Sequence, residues 1–357
     1  MASTKRAVTL KDVARLAGIS TGIASMALAD DPRVAAKTKE SVREAAQKLG
    51  YTPNVFGRAL RSKRIGAIAM VIPHSGQHVF SHPYFAQVLI GVTEIANAHK
   101  LTLLLSTSHD EEDEEDAYLK ILESRRADGI IVAAAAMTDP NVDRLIASEY
   151  PVVLLESRSN DPRVVSVFAD SLGGAERITA HLLEEHNLTR IAHITGPLRH
   201  RTASDKLEGY RTALGRHGVS FDESLVIAGD YSQESGQSAC VRLIESGINF
   251  NGIFAANDEM AFGALQALQA HGLDVPGDIA LVGFDDISLA QIVRPAFTTV
   301  NQPAIEVGKV ATRQLIDLMG ATPIEERQIQ LPTQIMIRNS CGCQVSSTPG
   351  RGPGHIA

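Results

Sequence analysis

The chain has 357 residues, of which 44% are hydrophobic and 21% charged, and its formal net charge at pH 7 is −7. This length exceeds one typical domain, and the composition is that of a globular protein. The sequence has no uncharged apolar run of about 18 residues, which argues against a membrane span. Its N-terminus also lacks the apolar core of a signal peptide. We therefore expect a cytoplasmic protein that does not enter a membrane.

The charge is unevenly distributed along the chain. Residues 1–64 contain 13 Lys and Arg against 5 Asp and Glu, a net charge of +8, so the remaining residues carry −15. A basic segment on an acidic body is what a module that neutralises DNA phosphates needs. The charge pattern therefore indicates a nucleic-acid-binding module at the N-terminus.

The same basic segment has the pattern of a helix-turn-helix. Apolar or small residues recur at helical spacing in residues 10–17, and Gly18 stands where a glycine commonly ends a helix. Ser20 is a candidate N-cap, after which the apolar period restarts. A third amphipathic helix is predicted near 37–49 and ends at Gly50. In such a module the second helix can lie in the major groove of DNA.

From residue 65 onward, short apolar runs alternate with amphipathic segments. The runs predicted to form buried parallel strands are 66–72, 101–106, 129–134, 151–155, 190–195, 252–256 and 279–284. The helical segments between them include 85–99, 173–186, 203–217, 234–246 and 259–271. This alternation predicts an α/β core of two doubly wound parallel-sheet lobes. A ligand is then expected in the cleft between them, at the carboxyl ends of the strands.

Several motifs resemble those of the lactose/galactose repressor (LacI/GalR) family. They include 9–14, 17–20 and 24–25 in the basic segment, and 128–131, 170–174, 194–197, 209–210, 256–258, 283–286, 295–300 and 302–303 in the core. The resemblance covers nearly the whole chain. It implies that a small all-α helix-turn-helix headpiece precedes a core that is periplasmic-binding-protein-like.

The resemblance also implies domain boundaries. The headpiece spans 1–52, a hinge helix 53–64, an effector-binding and dimerisation core 65–345, and a disordered tail 346–357. Within the core, the N-lobe is expected to comprise 65–168 and 298–325, and the C-lobe 169–297 and 326–345. The chain would cross between the lobes near 167–170, 296–299 and 324–328.

The resemblance assigns eight residues to DNA binding: Thr9, Thr21, Gly22, Ser25, Met26, Tyr51, Asn54 and Leu60. Thr21, Gly22 and Met26 match base-reading positions, and none of them can make a bidentate hydrogen bond to a base edge. Thr9 and Ser25 are expected to contact phosphates, which position the protein without specifying sequence. Leu60 stands where the family inserts a leucine into the minor groove. We therefore predict that base-edge hydrogen bonds contribute little to specificity.

Seven further residues are assigned to a small-molecule effector: Phe85, Asp170, Thr202, Lys206, Tyr231, Asn257 and Asp285. Together with Tyr84, the aromatic members could stack on a sugar or base, and the carboxyl and amide groups could bond its hydroxyls. Lys206 stands where the family usually has an arginine. Lysine lacks the planar, forked guanidinium with which arginine would hold the ligand. Either the ligand is not a simple pyranose, or Arg199, His200 or Arg201 makes that contact instead. The polar segment 74–83, with three histidines, is interpreted as a flexible loop at the cleft mouth.

Two features suggest metal binding, and both are interpreted otherwise. Cys341-Gly-Cys343 has no second ligand pair nearby in the sequence, so it is interpreted as a surface dithiol. The acidic run 110–116 lacks the glycine and alternation of a calcium loop. Neither a metal nor a cofactor is therefore expected, and the three cysteines are too few for a disulfide framework.

The expected function is that of a sequence-specific DNA-binding transcriptional regulator, a repressor of carbohydrate metabolism genes controlled by a sugar-like effector. It would act in the bacterial cytoplasm, at the nucleoid, as a homodimer on palindromic double-stranded operator DNA, because the tail has no leucine heptads for tetramerisation. The alternatives are a regulator that depends on a purine or other co-repressor, and a plain cytoplasmic solute-binding protein. An enzyme is disfavoured, because the sequence contains neither a Walker loop nor an H-E-x-x-H motif.

Overall fold

The computed structural model describes residues 8–51, 65–109, 117–118, 120–121, 126–148 and 150–344. The chain folds as two compact units, Met1–Gly66 and Ala67–Ala357. The hinge segment with Asn54 and Leu60, the acidic run 110–116 and the tail 346–357 lie outside the described residues. Within the described parts of the chain, no helix has the length and apolarity needed to cross a membrane.

The headpiece contains the helices α1 (Leu10–Leu16), α2 (Thr21–Leu28) and α3 (Ala36–Leu49). Gly18 has φ of +66°, and its amide and that of Ile19 donate to carbonyls of the last turn of α1. The Ser20 hydroxyl accepts a hydrogen bond from the Ile23 amide at 3.3 Å and so caps α2. The predicted helix–turn–helix is therefore present, with the predicted glycine and serine at its turn.

The headpiece core is small and is made of small side chains. Its buried members are all alanine or valine: Val13, Ala14, Ala24, Ala27, Val34, Val42, Ala45 and Ala46. Small residues let the three helices approach closely, but they remove little apolar area from water.

The second unit is an alternation of strands and helices. The strands are β1 (Ala67–Ser75), β2 (Thr102–Ser108), β3 (Gly129–Ala133), β4 (Val152–Leu155), β5 (Val165–Ala169), β6 (Ile191–Thr195), β7 (Val226–Ala228), β8 (Gly252–Ala255), β9 (Ala280–Val282), β10 (Thr299–Asn301), β11 (Gln328–Leu331) and β12 (Gln334–Met336). The helices are α4 (Gly76–Ser81), α5 (Pro83–Ala98), α6 (Pro140–Ala147), α7 (Ser171–His186), α8 (Arg201–Arg216), α9 (Gln233–Glu245), α10 (Asp258–Ala270), α11 (Ser288–Ile292) and α12 (Ala304–Met319).

Two parallel sheets define two lobes, as the sequence predicted. The first-lobe sheet has the order β11-β5-β4-β3-β1-β2, and the second-lobe sheet has the order β7-β6-β8-β9. A short antiparallel pair, β10-β12, lies beside β9, because Val282 bridges Thr298 and Asp285 bridges Asn301. The central strands are buried along their whole length, which is why they are continuous apolar runs in the sequence.

Two of the three expected crossings between the lobes are shifted in the structure. The first follows β5 at Asp170, within the expected 167–170. The second follows β10, at 302–303 instead of 296–299, because the bridges of residues 298 and 301 keep them with the second lobe. The third follows β11 instead of falling at 324–328, because this strand pairs with β5. Residues 298–301 therefore belong to the second lobe and residues 328–331 to the first, opposite to the expected assignment.

Candidate functional site

A cavity lies between the two lobes, where strands of both sheets end. The space, with the part open to solvent included, is about 730 Å³. We call it the interlobe cavity, and it is lined by His74, His82, Tyr84, Phe85, Ala134, Glu156, Pro197, Arg199, His200, Thr202, Lys206, Asp230, Tyr231, Asp285 and Gln302. The first six belong to the first lobe, and Gln302 lies on the second crossing.

The walls of this cavity hold strained backbone. Ala134, Glu156, Tyr231 and Asp285 have φ between +54° and +105°, although none is glycine. Each lies one to three residues beyond the carboxyl end of a strand, and all four line the cavity. Non-glycine residues in this region are uncommon and cluster at functional sites, because the surrounding structure must hold them there.

Lys206 and Asp285 form a buried pair at the floor of the cavity. The Lys206 ammonium donates to the Ala256 carbonyl at 2.8 Å, and it lies 4.0 Å from the Asp285 carboxylate and 4.0 Å from the centre of the Phe284 ring. Burial lowers the pKa of Lys206, with Asp285 opposing the shift. Burial raises the pKa of Asp285 to about 6, and Lys206 and the amide of Gln302, which donates to it at 2.5 Å, oppose this.

Glu156 is a second buried carboxyl group in the lining. Its Oε1 accepts hydrogen bonds from the Tyr84 hydroxyl at 2.7 Å and from the Ala169 amide at 3.1 Å. Its Oε2 is buried and has no hydrogen-bond partner among the described residues. Burial raises the pKa of Glu156 to about 7. This group can therefore accept or donate a hydrogen bond near neutral pH.

Aromatic rings form the apolar wall. The Tyr84 and Phe85 rings meet edge to face, with centroids 6.0 Å apart. Across the cavity, the Tyr231 hydroxyl lies 3.4 Å from the hydroxyl of Thr202, and its ring is 6.2 Å from that of His82. Rings from both lobes therefore face the same space.

Polar contacts join the lobes near the cavity. His82 Nε2 of the first lobe lies 3.3 Å from a carboxylate oxygen of Glu259 and 3.1 Å from the Asn257 amide nitrogen, both at the start of α10. Burial raises the pKa of Glu259 to about 8. On another side, Arg158 donates to Asp205 of α8 at 2.9 Å. The relative placement of the lobes is thus held by groups that border the ligand space.

The headpiece presents the first turn of α2 to solvent. Thr21 and Gly22 are exposed, whereas Ser25 and Met26 are half-buried. The sulfur of Met26 lies 3.9 Å from a guanidinium nitrogen of Arg33. This end of α2 therefore offers a hydroxyl, bare backbone and a thioether.

Family comparisons agree with this two-part architecture. A model described as bacterial regulatory proteins of the lacI family matches residues 9–54, and a periplasmic binding protein-like domain model matches residues 179–341. Catabolite control protein A of Priestia megaterium is 33% identical over 337 residues, which cover 93% of this chain and 99% of that protein. The chain belongs to the LacI family.

Solved structures extend this result to the whole fold. A CelR–cellobiose complex has a TM-score of 0.73 at 32% identity and covers 93% of this chain and 99% of its own. The lac repressor dimer bound to operator and the anti-inducer ONPF has a TM-score of 0.83 at 25% identity, with coverage of 94% and 99%. This LacI-family protein is a DNA-binding transcriptional regulator and not an enzyme, as the sequence predicted.

Most of the predicted effector residues meet in the interlobe cavity of this LacI-family regulator. Phe85, Thr202, Lys206, Tyr231 and Asp285 line it. The structure places the other two predicted residues differently, each in a capping position.

Asn257 lies behind the cavity lining, and Asp170 lies outside it. Asn257 caps α10 and donates its amide to the Tyr231 carbonyl at 2.9 Å. Asp170 caps α7, and its backbone amide donates to the Leu331 carbonyl. Gln330 donates to the Asp170 carboxylate at 2.8 Å. Asp170 therefore ties two crossings together.

Sequence reasoning missed several residues of the lining. Glu156, Asp230 and Gln302 were not predicted, although Glu156 directly follows the predicted strand at 151–155. Its position at the carboxyl end of a parallel strand is the signal that could have found it. The flexible loop expected at 74–83 is wrong for the segment 76–81, which forms α4, and His74 is buried at the end of β1.

The headpiece residues are placed as follows. The Asp12 carboxylate accepts from both the hydroxyl and the amide of Thr9, at 2.6 and 3.0 Å, and Thr9 occupies the N-cap position of α1. Tyr51 is half-buried against the headpiece core.

Three residues were candidates to make the ligand contact that the family's arginine makes at the position of Lys206. Arg199 and His200 line the cavity, whereas Arg201 pairs with Asp205.

Proposed function

We propose that this LacI-family regulator represses genes of carbohydrate metabolism and binds a neutral, polyhydroxylated effector in the interlobe cavity. The observation that carries this proposal is the combination of aromatic rings and buried carboxyl groups in one cavity. Phe85 and Tyr231 can stack on the apolar faces of a sugar, while Glu156 and Asp285 accept hydrogen bonds from its hydroxyls.

Charge favours a neutral ligand over an anionic one. The Lys206 ammonium is already engaged by the Ala256 carbonyl and lies near Asp285, so it offers no free cation for a phosphate. Three carboxyl groups line the same space, Glu156, Asp230 and Asp285, and they outnumber the two cationic side chains there, Arg199 and Lys206. The complex of the similar CelR with cellobiose supports the same ligand class.

The effector would act by shifting the lobes. The contacts of His82 with Glu259 and of Arg158 with Asp205 cross from one lobe to the other beside the cavity. A ligand that contacts both walls has a different affinity for each arrangement of the lobes, and that difference couples the cavity to DNA binding. Asn257 would influence effector binding through its contact with Tyr231, and Asp170 would influence the movement of the lobes through the two crossings that it joins.

The DNA target would be a palindromic operator bound by a homodimer in the cytoplasm, at the nucleoid. Thr21, Gly22 and Met26 would face the bases, with Ser25 and Thr9 at the phosphates. Tyr51, Asn54 and Leu60 complete the proposed DNA-binding set. The lac repressor dimer on its operator is the structural precedent for this arrangement.

A ligand screen tests the effector class. The purified chain is heated with single sugars, polyols, nucleosides and purines, and a bound ligand raises the melting temperature. The Asp285→Asn variant should lose most of the response to the hit, whereas exposed Asp143→Asn should retain it. Responses only to purines or to anionic metabolites would overturn the proposed class. An effector that binds without changing operator binding in a gel shift would overturn the proposed coupling.

A further inference from the structure

Four metal-ligating side chains meet at the end of α7 that lies away from the interlobe cavity. His181 and His186 come from α7, and Cys341 and Cys343 from the segment that follows β12. One ligand atom of each lies within 4.8 Å of those of the other three. The sequence interpretation as a surface dithiol is wrong for Cys341, which is 2% exposed, and the missing second ligand pair is supplied by the helix.

The distances fit tetrahedral coordination of a single ion. With Zn–S of about 2.3 Å and Zn–N of about 2.05 Å, a tetrahedral site separates sulfur from nitrogen by about 3.6 Å. His181 Nε2 lies 3.4 Å from the Cys341 sulfur and 3.8 Å from the Cys343 sulfur. His186 Nε2 lies 3.5 Å from the Cys343 sulfur. All three separations match this value to within about 0.2 Å.

The surrounding backbone holds both cysteines in place. Gly342 has φ of +109°, a conformation that glycine adopts freely, and it turns both flanking cysteines toward α7. A Cβ at this glycine would lie 3.2 Å from the His186 ring. The Thr298 hydroxyl donates to the Cys341 sulfur at 3.0 Å, as outer partners of thiolate ligands do.

We propose that His181, His186, Cys341 and Cys343 bind one Zn²⁺ as a structural site. Two thiolates and two imidazoles are a ligand set that selects zinc, and four protein ligands leave no open position for catalysis. Binding releases the two thiol protons to solvent. The ion fastens the chain that follows β12 to α7, the helix that begins at the first crossing between the lobes.

Metal content tests the site directly. Untagged protein from zinc-supplemented cells, passed through a desalting column, should contain about one zinc per chain by elemental analysis. The His186→Gln/Cys343→Ser variant should retain less than a tenth of that zinc. The matched control His217→Gln/Cys240→Ala, which changes a histidine and a cysteine outside the cluster, should retain it in full. Removal of zinc from the wild type with a chelator should lower the melting temperature, and zinc should restore it.

Cobalt substitution identifies the ligands. Co²⁺ added to the metal-free wild type should give intense tetrahedral visible bands and a sulfur-to-cobalt charge-transfer band, and the cluster variant should give neither. Zinc far below one per chain in the wild type, or equal zinc in wild type and cluster variant, would overturn the proposal. An intact mass showing a Cys341–Cys343 disulfide in protein freshly purified under reducing conditions would overturn it as well.

Discussion

Replacement of Glu156 by glutamine should change how the stability of the core depends on pH. Glutamine keeps the shape of the side chain and an oxygen that can accept from the Tyr84 hydroxyl, but it cannot ionise. Burial raises the pKa of Glu156 from 4.5 to about 7 in the folded chain. The folded state therefore holds this proton over a pH range in which the unfolded state has released it.

The sign and size of the effect follow from linkage. Because the folded pKa is raised, the stabilisation is complete below pH 4.5 and is lost as the pH rises through about 7. A shift from 4.5 to about 7 corresponds to about 3 kcal/mol of unfolding free energy. The free energy of unfolding of Glu156→Gln, relative to that of the wild type, should therefore rise by up to about 3 kcal/mol between pH 4.5 and pH 8.

Urea denaturation of wild type and variant at several pH values measures this difference. The exposed Glu245→Gln serves as the control and should leave the pH dependence unchanged. Parallel wild-type and Glu156→Gln curves across this range would refute the assignment of a raised pKa to Glu156.

Three further predictions concern recognition and coupling. Met26→Arg should change the preferred operator in a binding-site selection, because a bidentate arginine–guanine contact discriminates by about 1–3 kcal/mol; an unaltered site would contradict the account of α2. Phe85→Leu should weaken effector binding by about 0.5–1.5 kcal/mol in calorimetry, since it keeps much of the bulk but removes stacking; wild-type affinity would argue against stacking. Arg158→Gln should shift the effector concentration at which operator binding changes. The shift should correspond to at most about 1 kcal/mol, because the Arg158–Asp205 pair is partly exposed. An identical effector titration in a gel shift would exclude this contact from the coupling.

The fold could be predicted because buried parallel strands appear in the sequence as short continuous apolar runs, whereas amphipathic helices repeat apolar residues every three to four positions. The shifted crossings were not predictable from composition, because β10 and β11 are only three and four residues long and their pairing decides to which lobe they belong. The segment 74–83 was interpreted as a loop because it is long and polar, yet residues 76–81 form α4.

Residues of the cavity lining could be predicted where a single position matches a family motif, but not where distant segments meet. Lys206 and Asp285 were predicted from such matches, although their 4.0 Å separation depends on the tertiary fold. The contact between His181 and Cys341 joins residues 160 positions apart, so no local spacing could reveal it. Glu156 belongs to no family motif, and its position directly after a predicted strand was the one sequence signal for it.

The central claim is that a ligand in the interlobe cavity controls DNA binding by the headpiece. The most direct test is fluorescence anisotropy of a labelled operator, titrated with the full chain in the presence and absence of the effector found by the thermal screen. The effector should change operator affinity by at least about fivefold, as typical allosteric coupling does. The Asp285→Asn variant should lose this change and bind the operator like the effector-free wild type. Equal operator affinity with and without saturating effector would contradict it.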